Sequence, residues 1–326
     1  MSRLGFRPLL LFVSLLLVLA PASADQPAPR AACDAQCLPL WPVGQVPGEV
    51  GPGQPPNVVQ RAAPGAASDR YVDHIDAPWL EVYRPTHGGN GRALLVIPGG
   101  GYQRVVIDKE GSELQPAWVD QAGWTLFVLR YRLPQAGRDP SAALADAQRA
   151  MRVIRSGAAG WNIDPAKVAV MGFSAGGHVA ARLSTGFAAP AYLHRDAIDA
   201  LSARPYAAVL GYPVIDMGAH AHAGSRLRLL GAAPSTAAVQ AASQQNQVSA
   251  DTPPTLLFHA VDDAVVSMDN SLLYFTALRA AKVPAELHVF ASGGHGFGMR
   301  ANPTTTTAQW TPLALAWLDT YGVTHD

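Results

Sequence analysis

Short apolar runs alternate with longer helical patterns along most of this chain. Runs of about four to eight apolar residues are typical of strands buried on both faces, and apolar residues three or four positions apart indicate helices. The pattern predicts buried strands at residues 93–97, 125–130, 168–171, 207–210, 255–259 and 285–290, and one or two antiparallel edge strands within residues 71–83. It predicts helices at residues 113–121, 142–156, 177–185, 270–281 and 311–320.

This alternation predicts an α/β fold with a mostly parallel central sheet flanked by helices. Parallel strands need crossover connections, and helices in the crossovers cover both faces of the sheet. Reactive groups in open α/β sheets lie outside the carboxyl ends of the strands. Candidate functional residues are therefore expected directly after the predicted strands.

The N-terminal residues predict export. Arg3 and Arg7 precede an apolar run at residues 9–20, and Ala22-Ser23-Ala24 has the small-residue pattern of a signal-peptidase site. A membrane span needs roughly 20 apolar residues, so this run is too short for a stable anchor. We expect a periplasmic or secreted protein, cleaved near Ala24. The predicted organisation is a signal peptide at residues 1–24, a Pro/Gly-rich arm at residues 25–70 and one catalytic domain at residues 71–326.

Charge and cysteine content exclude several classes of function. The sequence has 24 basic and 24 acidic side chains, and loss of Arg3 and Arg7 with the signal peptide leaves 22 against 24, a net charge of −2. Nucleic-acid and anionic-membrane binding need clustered positive charge, so we expect neither partner and no stable membrane insertion. Cys33 and Cys37 have no nearby histidine pair to complete a zinc site, but in an oxidising compartment they can close a small non-catalytic disulfide loop.

A candidate nucleophile follows the predicted strand at residues 168–171. Gly172-Phe173-Ser174-Ala175-Gly176 has the G-x-S-x-G pattern between a strand and a helix. In this context the serine sits in a strained turn that lifts its hydroxyl clear of the sheet, and side chains at the glycine positions would collide with crossing backbone. The sequence predicts Ser174 as the nucleophile of acyl transfer.

Serine needs a general base within hydrogen-bond reach. The glycine-rich loop at residues 292–298 follows the last predicted strand and carries His295 at its centre. We predict His295 as the base. The other histidines have different positions. His178 lies on the helix after the serine, His259 and His288 lie within predicted strands, and His74 and His87 precede the sheet core.

The acid that orients this histidine is expected after the preceding strand, where Asp262 and Asp263 are neighbours. One aspartate should face the histidine, and the other should cap the loop or meet solvent. The periodicity does not choose between them, and Asp216 after the strand at residues 207–210 is a further candidate.

Backbone amides are the predicted oxyanion donors. Gly100 and Gly101 follow an early strand and can turn their amides inward, and Ala175 N–H directly follows the nucleophile. A glycine run is also typical of nucleotide-phosphate loops, but neither glycine motif of that class is complete here, so no cofactor is predicted. His220-Ala221-His222 lies in a Gly/Ala loop without nearby carboxylates, and we predict no metal there.

Two tyrosines are candidate substrate-binding residues. Tyr102 follows the glycine run and Tyr212 follows the strand at residues 207–210. If both close over the acyl side, the pocket should accept acetyl and reject long chains. A lipase with a matching apolar groove would instead gain about 0.8 kcal/mol of binding for each added methylene. The alternative is that both tyrosines are core residues.

Taken together, these residues resemble the acetyl-xylan-esterase-like branch of the α/β-hydrolases, over nearly the whole predicted mature chain. The matching segments include Leu40-Trp41-Pro42, Lys109-Glu110-Gly111 and residues 98–102, 129–133, 146–150, 172–178, 211–214, 224–226, 229–231, 259–266 and 293–298. The resemblance favours Asp263 as the acid, because the family pattern is an aspartate, one residue and two valines. Ser267 departs from the proline that relatives commonly carry there.

The resemblance implies a serine carboxylic-ester hydrolase of the α/β-hydrolase fold. Its implied substrates are acetylated carbohydrate of plant-wall origin, or another small ester. A serine peptidase of the same fold remains an alternative, although the only candidate cap, near residues 218–248, is short. A second alternative, outside the enzymes, is a non-catalytic protein that binds glycans.

Overall fold

The computed structural model describes Met1 and residues 35–42, 44–49, 53–135 and 138–321. The predicted signal peptide after Met1, and Cys33, lie outside these residues. Cys37 lies within them and is disulfide-bonded. No helix in the described ranges is long and apolar enough to cross a membrane.

The described residues form eleven strands in two sheets. They are β1 (Gln36–Pro39), β2 (Asn57–Gln60), β3 (Arg70–Asp73), β4 (Trp79–Tyr83), β5 (Ala93–Ile97), β6 (Val105–Val106), β7 (Thr125–Arg130), β8 (Val168–Phe173), β9 (Ala208–Gly211), β10 (Thr255–Ala260) and β11 (Ala285–Phe290). The central sheet has the order β1-β4-β7-β5-β8-β9-β10-β11, and β2, β3 and β6 form a small antiparallel sheet. All six predicted strands are present within one or two residues of the predicted bounds, but β11 is only partly buried because it lies at the edge of the sheet.

The central sheet is mostly parallel, which confirms the predicted fold class. The six strands from β7 to β11 in sheet order pair in parallel, whereas β4 runs antiparallel to β7 and β1 antiparallel to β4. The prediction for residues 71–83 was wrong in one respect. They form β3 and β4 as two strands, but β4 is covered by β1 and is not an edge strand, because the N-terminal arm supplies that edge.

Seven α-helices are described: α1 (Ala142–Ser156), α2 (Ala158–Trp161), α3 (Ser174–Gly186), α4 (Ala223–Leu230), α5 (Thr236–Ala242), α6 (Asp269–Ala280) and α7 (Trp310–Tyr321). Instead of the α-helix predicted at residues 113–121, a 3₁₀ turn at Ser112–Leu114 runs into a π-helical segment at Gln115–Gln121. The pattern did not predict α2, α4 or α5, because helices of one or two turns show too little of the helical period.

Buried apolar side chains form one cluster on each face of the central sheet. On β5, Leu95 and Ile97 belong to the cluster under α1, α3 and α6, whereas Leu94 and Val96 belong to the cluster under α7. Successive residues of a strand face opposite sides, so a strand covered on both faces is apolar throughout. This is why the apolar runs of the sequence locate the sheet.

A buried carboxylate on α1 fixes the described part of the arm to the domain. Asp146 accepts hydrogen bonds from Trp41 Nε1 at 2.9 Å and from Arg132 Nη2 at 2.8 Å. The Arg132 guanidinium also donates to the carbonyl of Pro47 at 2.5 Å. Both charged side chains are almost fully buried, and the attraction of Asp146 outweighs burial and raises the pKa of Arg132.

We predict that Asp146→Ala lowers the free energy of unfolding by about 3–5 kcal/mol, because Arg132 would keep a buried charge without its main counter-charge. Urea unfolding followed by circular dichroism measures the change. The matched control is Asp164→Ala, since Asp164 pairs with Lys167 at 3.8 Å on the surface and should cost no more than about 1 kcal/mol. Equal losses in the two variants would contradict the anchoring role of Asp146.

Candidate active site

Ser174 stands at the junction of β8 and α3, at the carboxyl edge of the sheet. β8 ends at Phe173 and α3 begins at Ser174, so no loop residue separates strand from helix. Ser174 has a φ of +51°, in the left-handed region that costs a non-glycine residue on the order of 1–3 kcal/mol. This backbone is the strained turn that the sequence pattern predicted.

Close backbone contacts explain the two glycines beside Ser174. A Cβ on Gly176 would lie 2.1 Å from the carbonyl oxygen of Ile97, at the end of β5. A Cβ on Gly172 would lie 2.5 Å from the carbonyl oxygen of Gly176. Carbon and oxygen cannot approach this closely, so any side chain at either position would force α3 away from the sheet.

The structure brings Ser174, His295 and Asp263 into one hydrogen-bonded chain. Ser174 Oγ lies 2.9 Å from His295 Nε2, and His295 Nδ1 lies 2.7 Å from Asp263 Oδ2. A carboxylate only accepts hydrogen bonds, so Nδ1 carries the proton and Nε2 is free to accept the serine proton. The side chain of Asp263 is fully buried, whereas His295 is 18% exposed and therefore accessible from solvent.

The environment of Asp263 keeps its carboxyl group ionised. Burial opposes ionisation, but hydrogen bonds from His259, His295 and the backbone N–H of Val266 outweigh it and hold the pKa of Asp263 well below its usual value. His259 Nε2 donates to Asp263 Oδ2 at 3.2 Å, and its Nδ1 lies 2.8 Å from Ser271 Oγ. His259 thus orients the carboxylate from within β10.

Asp262 has a different position from its neighbour. Its Oδ1 accepts a hydrogen bond from Gly294 N–H at 2.8 Å, which ties the loop of His295 to the loop after β10. Asp216 lies elsewhere, where it accepts from His220 N–H at 2.9 Å and Gln245 Nε2 at 2.9 Å. The structure therefore gives Asp263, and neither alternative, the hydrogen bond to His295.

The predicted oxyanion donors belong to the glycine loop after β5 and to the first turn of α3. Gly100 and Gly101 have φ of +135° and +64°, and within the described part of the chain their amides make no hydrogen bond. A Cβ on the preceding Gly99 would lie 2.9 Å from Ser174 Cβ, so the glycine loop touches the nucleophile. Ala175 N–H belongs to the first turn of α3, where amides have no acceptor within the helix.

A buried glutamate that the sequence pattern did not single out connects three loops around the site. Glu110 Oε2 accepts from Gly99 N–H at 2.8 Å, and Glu110 Oε1 accepts from the hydroxyl of Tyr212 at 2.9 Å. The same hydroxyl accepts from Gly298 N–H at 3.0 Å, in the loop that carries His295. Glu110 is only 2% exposed, so these bonds are made away from water.

The two tyrosines predicted to bind substrate are buried, and their hydroxyls are occupied. Tyr212 is held by Glu110 and Gly298, and burial raises its pKa well above the usual value. The Tyr102 hydroxyl lies 2.7 Å from Nδ1 of His178, a buried histidine on α3. Both tyrosines thus take the alternative position in the core, beneath the site, and neither offers a free hydroxyl to a substrate.

Comparison with known proteins agrees with this geometry. Residues 80–278 match the BD-FAE family. The chain belongs to the BD-FAE family. A crystal structure of an acetyl ester-xyloside bifunctional hydrolase from Caldicellulosiruptor lactoaceticus is 35% identical, with a TM-score of 0.75 over 89% of this chain and 97% of that chain.

Two curated relatives share part of their length with this BD-FAE protein. Acetylxylan esterase of Xylanibacter ruminicola is 34% identical over 64% of this chain and 42% of its own length. Endo-1,4-beta-xylanase B of Butyrivibrio fibrisolvens is 39% identical over 62% of this chain and 32% of its own length. The chain thus spans less than half of either relative, and what those whole proteins do transfers only as a proposal.

Buried His178 makes the stability of this BD-FAE protein depend on pH. Burial and the charge of Arg182 lower the pKa of His178 to about 3. The unfolded chain binds this proton near pH 6.5, so between about pH 6 and 4 the unfolded state holds one more proton than the folded state. Stability should then fall as pH falls, by roughly 1 kcal/mol per pH unit from this group.

We predict that His178→Gln makes the free energy of unfolding less dependent on pH between 6 and 4, even if the variant is less stable at pH 7. Urea unfolding at several pH values measures the slope. His194→Gln is the matched control, because His194 is exposed and its replacement should leave the slope unchanged. An unaltered slope in His178→Gln would contradict the buried, neutral histidine.

Proposed function

We propose that this chain is a serine carboxylic-ester hydrolase that removes acetyl groups from acetylated saccharides through an acyl-Ser174 intermediate. The observation that carries the proposal is the continuous hydrogen-bond chain from Asp263 through His295 to Ser174. The nearby glycine loop adds the amides of Gly100 and Gly101, which have no acceptor among the described residues. Serine nucleophile, base, acid and oxyanion donors are the parts that acyl transfer requires.

The proposed reaction has two steps. In the first, Ser174 Oγ attacks the ester carbonyl carbon, His295 Nε2 takes the serine proton, and the amides of Gly101 and Ala175 donate to the oxyanion. The bond to the alcohol oxygen breaks, and His295 gives its proton to the leaving oxygen. In the second, water attacks the acyl-serine, His295 accepts the proton of water and returns it to Ser174, and the carboxylic acid leaves.

The relatives support the choice of substrate. One bears the name acetylxylan esterase, and a similar solved structure is described as an acetyl ester-xyloside hydrolase. An acetylated xylan fragment is therefore the proposed natural substrate. Asp263 would stabilise the imidazolium that forms on His295 in each step, because its carboxylate remains ionised at neutral pH.

Ser174→Ala is expected to lower kcat for 4-nitrophenyl acetate by about 10⁶, and His295→Ala by a similar factor, without further loss in the double variant. A fluorophosphonate probe should label the unaltered protein and not Ser174→Ala. The control is Ser184→Ala, because Ser184 lies on the same helix with its hydroxyl bonded to the Ala180 carbonyl. A Ser174→Ala protein that kept a tenth of the activity would refute the proposed nucleophile.

The two neighbouring aspartates should differ sharply in effect. Asp263→Asn is expected to lower kcat by about 10⁴, because an amide favours the wrong tautomer of His295. Asp262→Asn retains an oxygen to accept from Gly294 N–H, so kcat should change by less than about tenfold. Steady-state kinetics on 4-nitrophenyl acetate distinguishes them, and a reversed order of effects would transfer the role of acid to Asp262.

A further inference from the structure

A cleft lies at the carboxyl edge of the sheet, beside the glycine loop. Its volume is about 490 Å³, within the range of about 300–1,000 Å³ that is usual for small-molecule sites. Its lining includes Gln103, next to the buried Tyr102 of the glycine loop, and residues 133–135 after β7. Arg228 of α4 also lines the cleft. We call this feature the polar cleft.

Contacts around α4 connect the polar cleft to the reacting groups. A Cβ on Gly224 would lie 2.9 Å from Arg228 Nη1 and 3.2 Å from His222 Cε1, so Arg228 and His222 flank the same residue. His222 Cε1 is also 3.7 Å from the position of a Cβ on Gly101, one of the candidate oxyanion donors. A molecule that lies in the cleft and extends past His222 therefore reaches the glycine loop.

The lining of the polar cleft is suited to a polyhydroxylated molecule. Gln103, Gln135 and Arg228 are exposed side chains with amide or guanidinium groups. Asp76 also lines the cleft and is held in place by Arg138 at 2.6 Å and by Gln54 N–H at 2.8 Å. Hydroxyl groups both donate and accept, so they can pair with amides, a guanidinium and a carboxylate together. A fatty acyl chain would need an apolar wall, which this lining does not provide.

His222 adds a hydrogen-bond donor next to the cleft, between Arg228 and Gly101. Its Nδ1 accepts a hydrogen bond from Ser225 N–H at 3.2 Å, so the neutral ring carries its proton on Nε2. Burial and the nearby His295 lower the pKa of His222, which keeps the ring neutral at pH 7. The Nε2–H is then available to an oxygen of a bound molecule between the cleft and Gly101.

We infer that the polar cleft binds the saccharide part of the ester, so that Arg228 and Gln103 hold the sugar while its acetyl group lies at Ser174. The inference rests on the proposed ester hydrolysis. It adds to that proposal the place where the alcohol part of the substrate binds. Specificity for acetylated sugar over simple acetate esters then comes from the glycine loop and α4.

The test compares kcat/KM for an acetylated xylo-oligosaccharide with kcat/KM for 4-nitrophenyl acetate. Arg228→Ala and Gln103→Ala should each lower the ratio of the two values, Arg228→Ala by about tenfold, because one charged hydrogen bond to the sugar is lost. Arg279→Ala is the control, since Arg279 is an exposed arginine on α6 away from the cleft. A ratio does not depend on the fraction of active protein, so partial unfolding cannot imitate the result.

Binding gives a second readout that needs no catalysis. Isothermal titration calorimetry of Ser174→Ala with xylotriose should show weaker binding once Arg228→Ala is added. If neither variant changes the ratio or the binding of xylotriose, the inference is overturned and the proposed ester hydrolysis stands. If the unaltered protein hydrolyses neither ester, the proposed function itself is overturned.

Discussion

The buried carboxylate of Glu110 connects three of the loops that surround the candidate site. Through one oxygen it fixes Gly99 at the start of the glycine loop, and through the other it fixes the Tyr212 hydroxyl, which in turn holds Gly298 beyond His295. The loops after β5, β9 and β11 are therefore connected to one side chain that water does not reach. A buried carboxylate is costly to leave unpaired, and its two donors come from different loops, so the three loops are held in one arrangement relative to each other.

Sheet geometry supplies the rest of the arrangement. Ser174, Asp263 and His295 are far apart in the chain, yet each directly follows a strand of one parallel block, and the carboxyl ends of parallel strands share an edge. The acid follows β10 and the histidine follows the adjacent β11, which places them two and three strands from β8. The loop after β11 therefore reaches back across the ends of β10 and β9 to bring His295 to Ser174. The hydrogen bond from Gly294 N–H to Asp262 ties this loop to the one after β10.

The sheet and the hydrogen-bonded chain of Ser174 and His295 could be predicted because their signals are local. An apolar run marks a strand, and a glycine-flanked serine or histidine at its end marks the turn. The pattern did not indicate Glu110, because a glutamate between Lys109 and Gly111 is typical of a surface loop and its partner Tyr212 is distant in the chain. It did not indicate His259, because a histidine inside a strand has no distinguishing spacing. Whether Tyr102 and Tyr212 face a substrate or the core depends on backbone angles after the strand end, and both have positive φ, which the pattern of hydrophobic residues does not encode.

The edge position of β11 has a consequence for how such a protein would lose activity. β11 pairs only with β10 in the described central sheet, and its side chains are less buried than those of β5 or β8. Edge strands open at lower free energy than central ones, so heating is expected to separate the last strand before the core melts. His295 would then move away from a serine that is still held in its strained turn. Inactivation by mild heat would be a local and reversible event, distinct from global denaturation.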